Sequence, residues 1–303
     1  MREQTTGSTK PPPSLAKHVA PIGTPAYVIA LGSWMTVRLA AYSVVLLFLA
    51  AGVFSALTQR TGSAQLPSNW VTPVLYLAVY LATIITHELI HGLGFRLFGG
   101  RPRYGAGIKY FLPYLYATAP DHAFALGAMI TIALAPLFVL SALALVVALL
   151  VPAWVGYLAV VFIGNTVGAI GDIWMTSYLI RFCRLQAVTV VDLADGMAIY
   201  TPDPRASEIA AKLARHDERS PGFVVHWMGA TVALFAAEFL AGLIGPFFTD
   251  SLLIGPPQLP LVAFTNSDAG FQWTFGVASP LLTALLFALA ARLFARRPSV
   301  ETI

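Results

Sequence analysis

Charged residues are scarce in this chain of 303 residues, where Asp, Glu, Lys and Arg together make up only 11%. Ordinary soluble domains carry about a quarter charged residues, whereas 57% of this chain is hydrophobic. This low charged fraction and high hydrophobic fraction exclude an ordinary soluble protein and indicate an integral membrane protein. The net charge of +4 comes from basic residues near the ends of apolar runs, which predicts membrane orientation and gives no indication of a nucleic-acid partner.

Cysteine is also nearly absent, because Cys183 is the only one in the chain. A single thiol excludes an internal disulfide and a cysteine-rich metal cluster. Any tightly bound metal ion must therefore use His, Asp or Glu side chains.

Long apolar runs, in contrast, fill most of the chain, and each is long enough to cross a bilayer as a helix. The six runs lie at about residues 34–57, 71–97, 123–151, 155–179, 224–248 and 273–295. The sequence thus predicts an all-α integral membrane protein, a bundle of about six transmembrane helices with a small cytoplasmic α+β insertion. Arg38 in the first run is expected to extend to the membrane surface, and Pro136 is expected to kink the third run.

Four parts follow from this pattern. Residues 1–32 are predicted to be a flexible tail, and residues 33–182 a four-helix membrane core. Residues 183–222 are predicted to be an insertion at the membrane surface, and residues 223–303 a two-helix membrane hairpin with a basic tail.

The insertion is predicted to contain strands at residues 188–192 and 197–200 and a helix at residues 205–216. It is too small to be an independent enzyme domain, which favours a cap or a substrate-facing appendage. Six spans place both termini on one side, and the positive-inside rule makes that side the cytoplasm. The basic residues on this predicted face are Lys10, Lys17, those of residues 96–109 and 181–219, and Arg292, Arg296 and Arg297.

The stretch 101–121 fits neither a helix nor an ordinary loop, because turn residues alternate with aromatic ones. Two interpretations remain open: a re-entrant hairpin beside the second span, or an interfacial loop with its aromatic side chains at the headgroup level. The aromatic residues concerned are Tyr104, Tyr110, Phe111, Tyr114 and Tyr116.

A His-Glu-x-x-His pentapeptide, residues 87–91, lies inside the second apolar run. Histidines four apart on a helix project from one face, so His87 and His91 can bind one metal ion while Glu88 sits beside a bound water. The alternative is a chance match in which backbone carbonyls satisfy the two histidines. Ionisable side chains are costly within a membrane span and are functional by default, which favours the metal site.

A catalytic zinc needs a third protein ligand, and that ligand must lie at the same membrane depth as the histidines. His87 lies nine residues before Arg96, and Asp172 lies nine residues before Arg181. Both are therefore about 13 Å from a predicted cytoplasmic helix end. The depth comparison selects Asp172.

Other polar residues are weaker candidates on the same criterion. Glu238 lies deeper than the histidines, while Asp121 and His122 are too shallow, and His226 is a candidate for indirect contact only. His18 and His216 fall in soluble segments. Asn165 shares a helical face with Asp172 about two turns away, and Gly164, Gly168 and Gly171 around it predict a face for close helix packing.

Residues 87–92 (His-Glu-Leu-Ile-His-Gly) followed by residues 164–172 (Gly-Asn-Thr-Val-Gly-Ala-Ile-Gly-Asp) resemble a family of membrane-embedded zincin peptidases, which is similar to the site-2 intramembrane metalloproteases. The resemblance covers residues 71–200. It implies one zinc ion per chain held by His87, His91 and Asp172.

The function implied is intramembrane proteolysis of membrane-associated protein substrates near the cytoplasmic face. Glu88 would move the proton of the attacking water, and Asn165 would bind the substrate or the oxyanion. The partners are then a membrane protein substrate and the lipid bilayer. The alternative is a non-catalytic membrane protein that binds or transports metal with the same His/His/Asp site, or a silent relative that only binds membrane proteins.

Overall fold

The computed structural model describes residues 23–59, 71–109, 112–193, 196–245, 248–258, 260–267, 270–275 and 278–295. The helices are α1 (Ser33–Thr58), α2 (Val71–Leu97), α3 (Leu126–Leu150), α4 (Val155–Gly168), α5 (Ile170–Leu179), α6 (Ala206–Glu218), α7 (Phe223–Ile244) and α8 (Ala278–Ala295). The strands are β1 (Tyr27–Ala30), β2 (Arg103–Lys109), β3 (Leu112–Thr118), β4 (Ala123–Ala125), β5 (Thr189–Leu193), β6 (Gly196–Tyr200), β7 (Ser251–Ile254), β8 (Val262–Ser267) and β9 (Gly270–Phe275).

Four helical segments are long and apolar enough to cross a membrane, as expected of a membrane protein. They are Trp34–Thr58, Val74–Leu97, Leu126–Leu150 and Pro152–Phe182. Large apolar side chains on them, such as Phe48, Phe138 and Leu143, are exposed, which suits a surface that meets lipid. The other two predicted spans correspond to α7 and α8, whose apolar segments are shorter within the described residues. The six-span topology and the side on which the termini lie stay predictions.

The chain forms two compact units. The first takes in Met1–Ala30, Glu88–Ala133 and Met175–Leu213. Its main sheet is antiparallel with the strand order β1-β6-β5-β4, and Ile29, Val190 and Ile199 are fully buried in it.

The strands and the helix predicted for the insertion are confirmed as β5, β6 and α6. The sheet is larger than predicted, because β1 and β4 pair with its two inner strands. β1 lies in the part predicted to be a flexible tail, of which residues 1–22 fall outside the described residues. The edge of a strand exposes backbone N–H and carbonyl groups that need hydrogen-bond partners. Local sequence pattern does not indicate which other strand supplies those partners.

A turn held by Asp203 precedes α6 in this unit. The Asp203 carboxylate accepts hydrogen bonds from the backbone N–H and guanidinium of Arg205 and from the N–H of Gln186. The Arg205 side chain, helped by these backbone donors, holds the pKa of that carboxyl well below its usual range. The turn is therefore built around an ionised Asp203.

Residues 103–118 form a β-hairpin, β2–β3, in which Arg103 pairs with Thr118. The two interpretations open for residues 101–121, a re-entrant hairpin and an interfacial loop, differ in membrane depth, and both stay predictions. Tyr110 and Phe111 lie outside the described residues. Gly105 and Gly107 face the rings of Tyr116 and Tyr114 across the ladder, and these rings occupy the space of a Cβ.

The second unit takes in Leu31–His87, Leu134–Trp174 and Ala214–Ile303. In it, α1 packs against both α4 and α7, and α7 also packs against α8. In the sequence between α7 and α8, β7, β8 and β9 form an antiparallel meander, within the part predicted to be a two-helix membrane hairpin. The predicted all-α class therefore needs amendment: the described residues are mostly helical but include nine strands in three sheets.

Arg38 is buried against protein groups, and its extension to the membrane surface stays a prediction. It is 5% exposed, and its guanidinium donates to the backbone carbonyls of His216, at 2.9 Å, and Arg219. The carbonyls at the end of a helix lack intrahelical donors and attract a cation. Arg38 thus caps the C-terminal end of α6, a contact between residues 178 positions apart.

Candidate metal centre

α2 carries His87, Glu88 and His91 near its C-terminal end. His87 and His91 are four residues apart and therefore share one face of the helix. Both are buried, whereas Leu89 and Leu93 on the same helix are exposed. The two imidazoles thus point into the protein.

Asp172 is placed by a break in the fourth apolar run, which the sequence predicts as one helix. The run is divided into α4 and α5 at Ala169, whose backbone (φ −69°, ψ 5°) departs from helical values. Asp172 lies in the first turn of α5 and is buried. Its Oδ2 is 3.1 Å from Nε2 of His87, as the equal membrane depth of the two residues predicts.

The ligand atoms that His87, His91 and Asp172 can offer all lie within 4.8 Å of one another. Two imidazoles and a carboxylate form a donor set that zinc accepts, and three protein ligands are the number typical of a catalytic zinc site. The residues therefore fit a metal ion, and this group could hold one.

The second nitrogen of each imidazole has its own acceptor. Nδ1 of His91 lies 3.0 Å from the carbonyl oxygen of Ile132, and a carbonyl can only accept, so Nδ1 carries the proton. Nδ1 of His87 lies 2.8 Å from Oδ1 of Asn165. Nδ1 therefore carries a proton in both imidazoles, and Nε2 is the atom that each would offer to a metal.

The amide of Asn165 is oriented by its own partners. Its Nδ2 donates to the carbonyl of Pro136 at 3.1 Å and to Oγ of Ser141 at 3.0 Å. Because a backbone carbonyl requires a donor, Oδ1 must be the atom that faces His87. The sequence predicts that Asn165 contacts the substrate or the oxyanion, whereas the structure places both polar atoms of its side chain against protein groups.

Within the described residues, Glu88 lies outside the three-residue group. Its Oε2 accepts a hydrogen bond of 2.7 Å from the backbone N–H of Ala117 in β3. The carboxylate is thereby fixed beside the hairpin, one residue from His87.

None of the weaker candidates joins the group within the described residues. The ring of His122 packs against Phe124, Asp121 forms an ion pair with Arg103, and the ring of His226 meets that of Trp34. Glu238 is buried in α7, and His216 lies beside Asp217. His18 is outside the described part of the chain.

Of the three glycines predicted to form a face for close helix packing, one has a close neighbour on another helix. A Cβ at Gly164 would lie 3.0 Å from the ring of Tyr80 on α2, so Gly164 permits close packing there. Gly168 and Gly171 have open space where a Cβ would stand, and close packing does not explain them.

Backbone groups are the part of the site that the sequence analysis missed. The carbonyls of Ile132 and Pro136 and the N–H of Ala117 hold His91, Asn165 and Glu88. The sequence does contain a signal for the Ile132 carbonyl, because Pro136 inside a helix leaves the carbonyl four residues earlier without a helical donor.

Apolar helices that enclose a buried His/His/Asp group define a membrane protein with a candidate metal centre. Residues 80–184, about a third of the chain, match the family described as "Putative zincin peptidase". The match includes all five predicted site residues, and the family description agrees with the predicted zinc and peptidase chemistry. No curated protein and no solved structure matches the chain. The likeness to site-2 proteases stays a prediction.

Proposed function

We propose that this protein is an intramembrane zinc metallopeptidase that hydrolyses peptide bonds of membrane-associated protein substrates near the cytoplasmic face. The observation that carries the proposal is the buried group of His87, His91 and Asp172, with Glu88 on the same helix but outside the group. A site that only stores or transports metal has no particular need for a carboxylate that touches water and not metal.

His87, His91 and Asp172 would hold the zinc ion, one per chain. When bound, zinc supplies a Lewis acid that polarises the scissile carbonyl and acidifies water. Glu88 takes the proton of the attacking water and returns it to the leaving amine. The hydrogen bond from Ala117 N–H holds the Glu88 carboxylate in one place for this transfer.

Among the described strands β3 pairs only with β2, and its other edge suits a substrate strand. Ala117 pairs with Tyr104, yet its N–H points to Glu88 and away from β2. Alternate residues of a strand share one edge, so Leu115 presents its N–H and carbonyl on the same side. A substrate that adds as a strand beside Leu115 is led towards Glu88.

Pro113 is compatible with this arrangement. Pro113 lies two residues before Leu115 and four before Ala117, so its missing N–H falls on the same edge of β3, and the ladder with β2 stays intact.

The proposal of a cytoplasmic site rests on the basic residues that end the predicted spans, because such residues favour the cytoplasmic side.

The test is the metal content of the detergent-purified protein, measured together with cleavage of a single-span reporter protein. Variants His87→Ala and Asp172→Ala are expected to lose the zinc, of which the wild type holds about one per chain. Glu88→Gln is expected to keep the zinc and lose activity by about 10²–10⁴-fold, because only the proton transfer is removed. His216→Ala, at an exposed histidine, is the matched control and should change neither quantity.

Two results would contradict the proposal. A wild-type protein without metal would show that the His/His/Asp group is a hydrogen-bonded cluster only. Zinc binding with full function in Glu88→Gln would favour the non-catalytic metal-binding protein.

A further inference from the structure

Pro136 lies in the middle of α3, and the helix continues through it from Leu126 to Leu150. A proline has no N–H, and its ring pushes away the carbonyl four residues earlier. In α3 that carbonyl belongs to Ile132, which therefore lacks the donor that a helix normally supplies. Ile132 is 1% exposed and Pro136 is also fully buried, so this carbonyl needs a partner from the protein.

The partner is a candidate metal ligand. Nδ1 of His91 lies 3.0 Å from the Ile132 carbonyl oxygen. Gly94, three residues after His91 on the same face of α2, has its Cβ position 3.2 Å from the Ile132 side chain. The absence of a side chain at Gly94 lets α2 approach α3 closely enough for this contact.

We propose that Pro136 is a positioning residue for the metal centre: it keeps the Ile132 carbonyl free to accept from His91, which fixes the imidazole with Nε2 towards the metal. The inference rests on the proposed function only in requiring that His91 is a metal ligand. Acceptors on the non-ligating nitrogen of a histidine set its tautomer and orientation, and their loss typically lowers metal affinity by about 10–100-fold.

The same segment of α3 also supports the other histidine. The carbonyl of Pro136 accepts from Nδ2 of Asn165 at 3.1 Å, and Oδ1 of Asn165 accepts from Nδ1 of His87 at 2.8 Å. Two carbonyls about one turn apart, those of Ile132 and Pro136, are thus coupled to the two histidines. Pro136 affects them differently, because only the Ile132 carbonyl loses its helical donor to the proline.

The experiment compares two replacements at position 136. Pro136→Ala restores an N–H that competes with His91 for the Ile132 carbonyl. The α-hydroxy acid counterpart of alanine, introduced by nonsense suppression, has the same side chain but an ester oxygen in place of that N–H. Pro152→Ala is the matched control, because Pro152 begins a short 3₁₀ helix, where no N–H is needed.

The measured quantities are zinc affinity by competition with a chelator and the visible spectrum of the cobalt-substituted protein, which reports coordination geometry. We expect Pro136→Ala to bind zinc about tenfold or more weakly with an altered cobalt spectrum. The ester variant should recover most of the affinity, and Pro152→Ala should equal the wild type.

Three outcomes have separate meanings. If Pro136→Ala binds zinc as tightly as the wild type, the inference is wrong although the proposed function stands. If the ester variant is as weak as Pro136→Ala, the proline ring and not the missing N–H matters, and the inference is again wrong. If the wild type itself binds no zinc, the assignment of the metal ligands has failed, and the role of Pro136 fails with it.

Discussion

Asn165 shows how much of the candidate centre depends on one uncharged side chain. Its amide is 2% exposed and joins Nδ1 of His87 to the carbonyl of Pro136 and the hydroxyl of Ser141. An amide is suited to this place because it accepts on one side and donates on the other. A carboxylate could accept from His87, but it could not donate to a carbonyl.

Asn165→Ala is expected to weaken zinc binding by about 10–100-fold, because His87 loses the acceptor that fixes its tautomer. Chelator competition in detergent measures the affinity. Thr36→Ala is the control, since the exposed Thr36 hydroxyl donates to the Gly32 carbonyl one turn earlier in the chain. An unchanged affinity in Asn165→Ala would mean that His87 is held by other contacts.

Among the elements, α2 and the β2–β3 hairpin meet at Gly92, directly after His91. A Cβ at Gly92 would overlap the ring and hydroxyl of Tyr104 in β2. The hairpin that bonds Glu88 through Ala117 therefore also packs against the helix of the ligands. Glycine is required here because two elements approach closely, and not because of an unusual backbone conformation.

Gly92→Ala is expected to destabilise the protein by about 1–3 kcal/mol through overpacking against Tyr104. Thermal unfolding in detergent measures the change. In a Tyr104→Ala background the same substitution should cost much less, because the obstructing ring is gone. Equal costs in both backgrounds would show that Tyr104 is not the obstacle. Gly127→Ala, where a Cβ meets nothing within 4 Å, is the control.

For the whole molecule, the proposed topology determines which side of the membrane the site is reached from. The single cysteine is a natural probe, because Cys183 is exposed just after the fourth candidate span. The positive-inside rule predicts that it faces the cytoplasm.

A membrane-impermeant maleimide should therefore label Cys183 in inside-out vesicles and leave it unlabelled in right-side-out vesicles. Cys183→Ser gives the background signal. Gln59→Cys in that background places a single cysteine directly after α1. The first span separates this position from the cytoplasmic end of α1, so the new cysteine should react from the side opposite to Cys183. Labelling of both positions from the same side would contradict the six-span arrangement.

Many features of this protein follow from local pattern and composition alone. Apolar runs of span length predict the membrane helices, the i, i+4 spacing places His87 and His91 on one face, and counting from basic helix ends brings Asp172 level with His87. Alternating and turn residues likewise predicted β5 and β6. Each of these inferences needs only the geometry of a single element and the depth of the bilayer.

The partners of groups that lie far apart in the chain, in contrast, are seen only in the folded protein. The pairing of β1 with β6, the capping of α6 by Arg38, and the contacts of Asn165 and Ile132 with the histidines join residues far apart in the chain. Most of these partners are backbone carbonyls and N–H groups, which every residue possesses and which leave no trace in residue identity. Their assignment depends on which elements pack together, and local sequence pattern does not specify that packing.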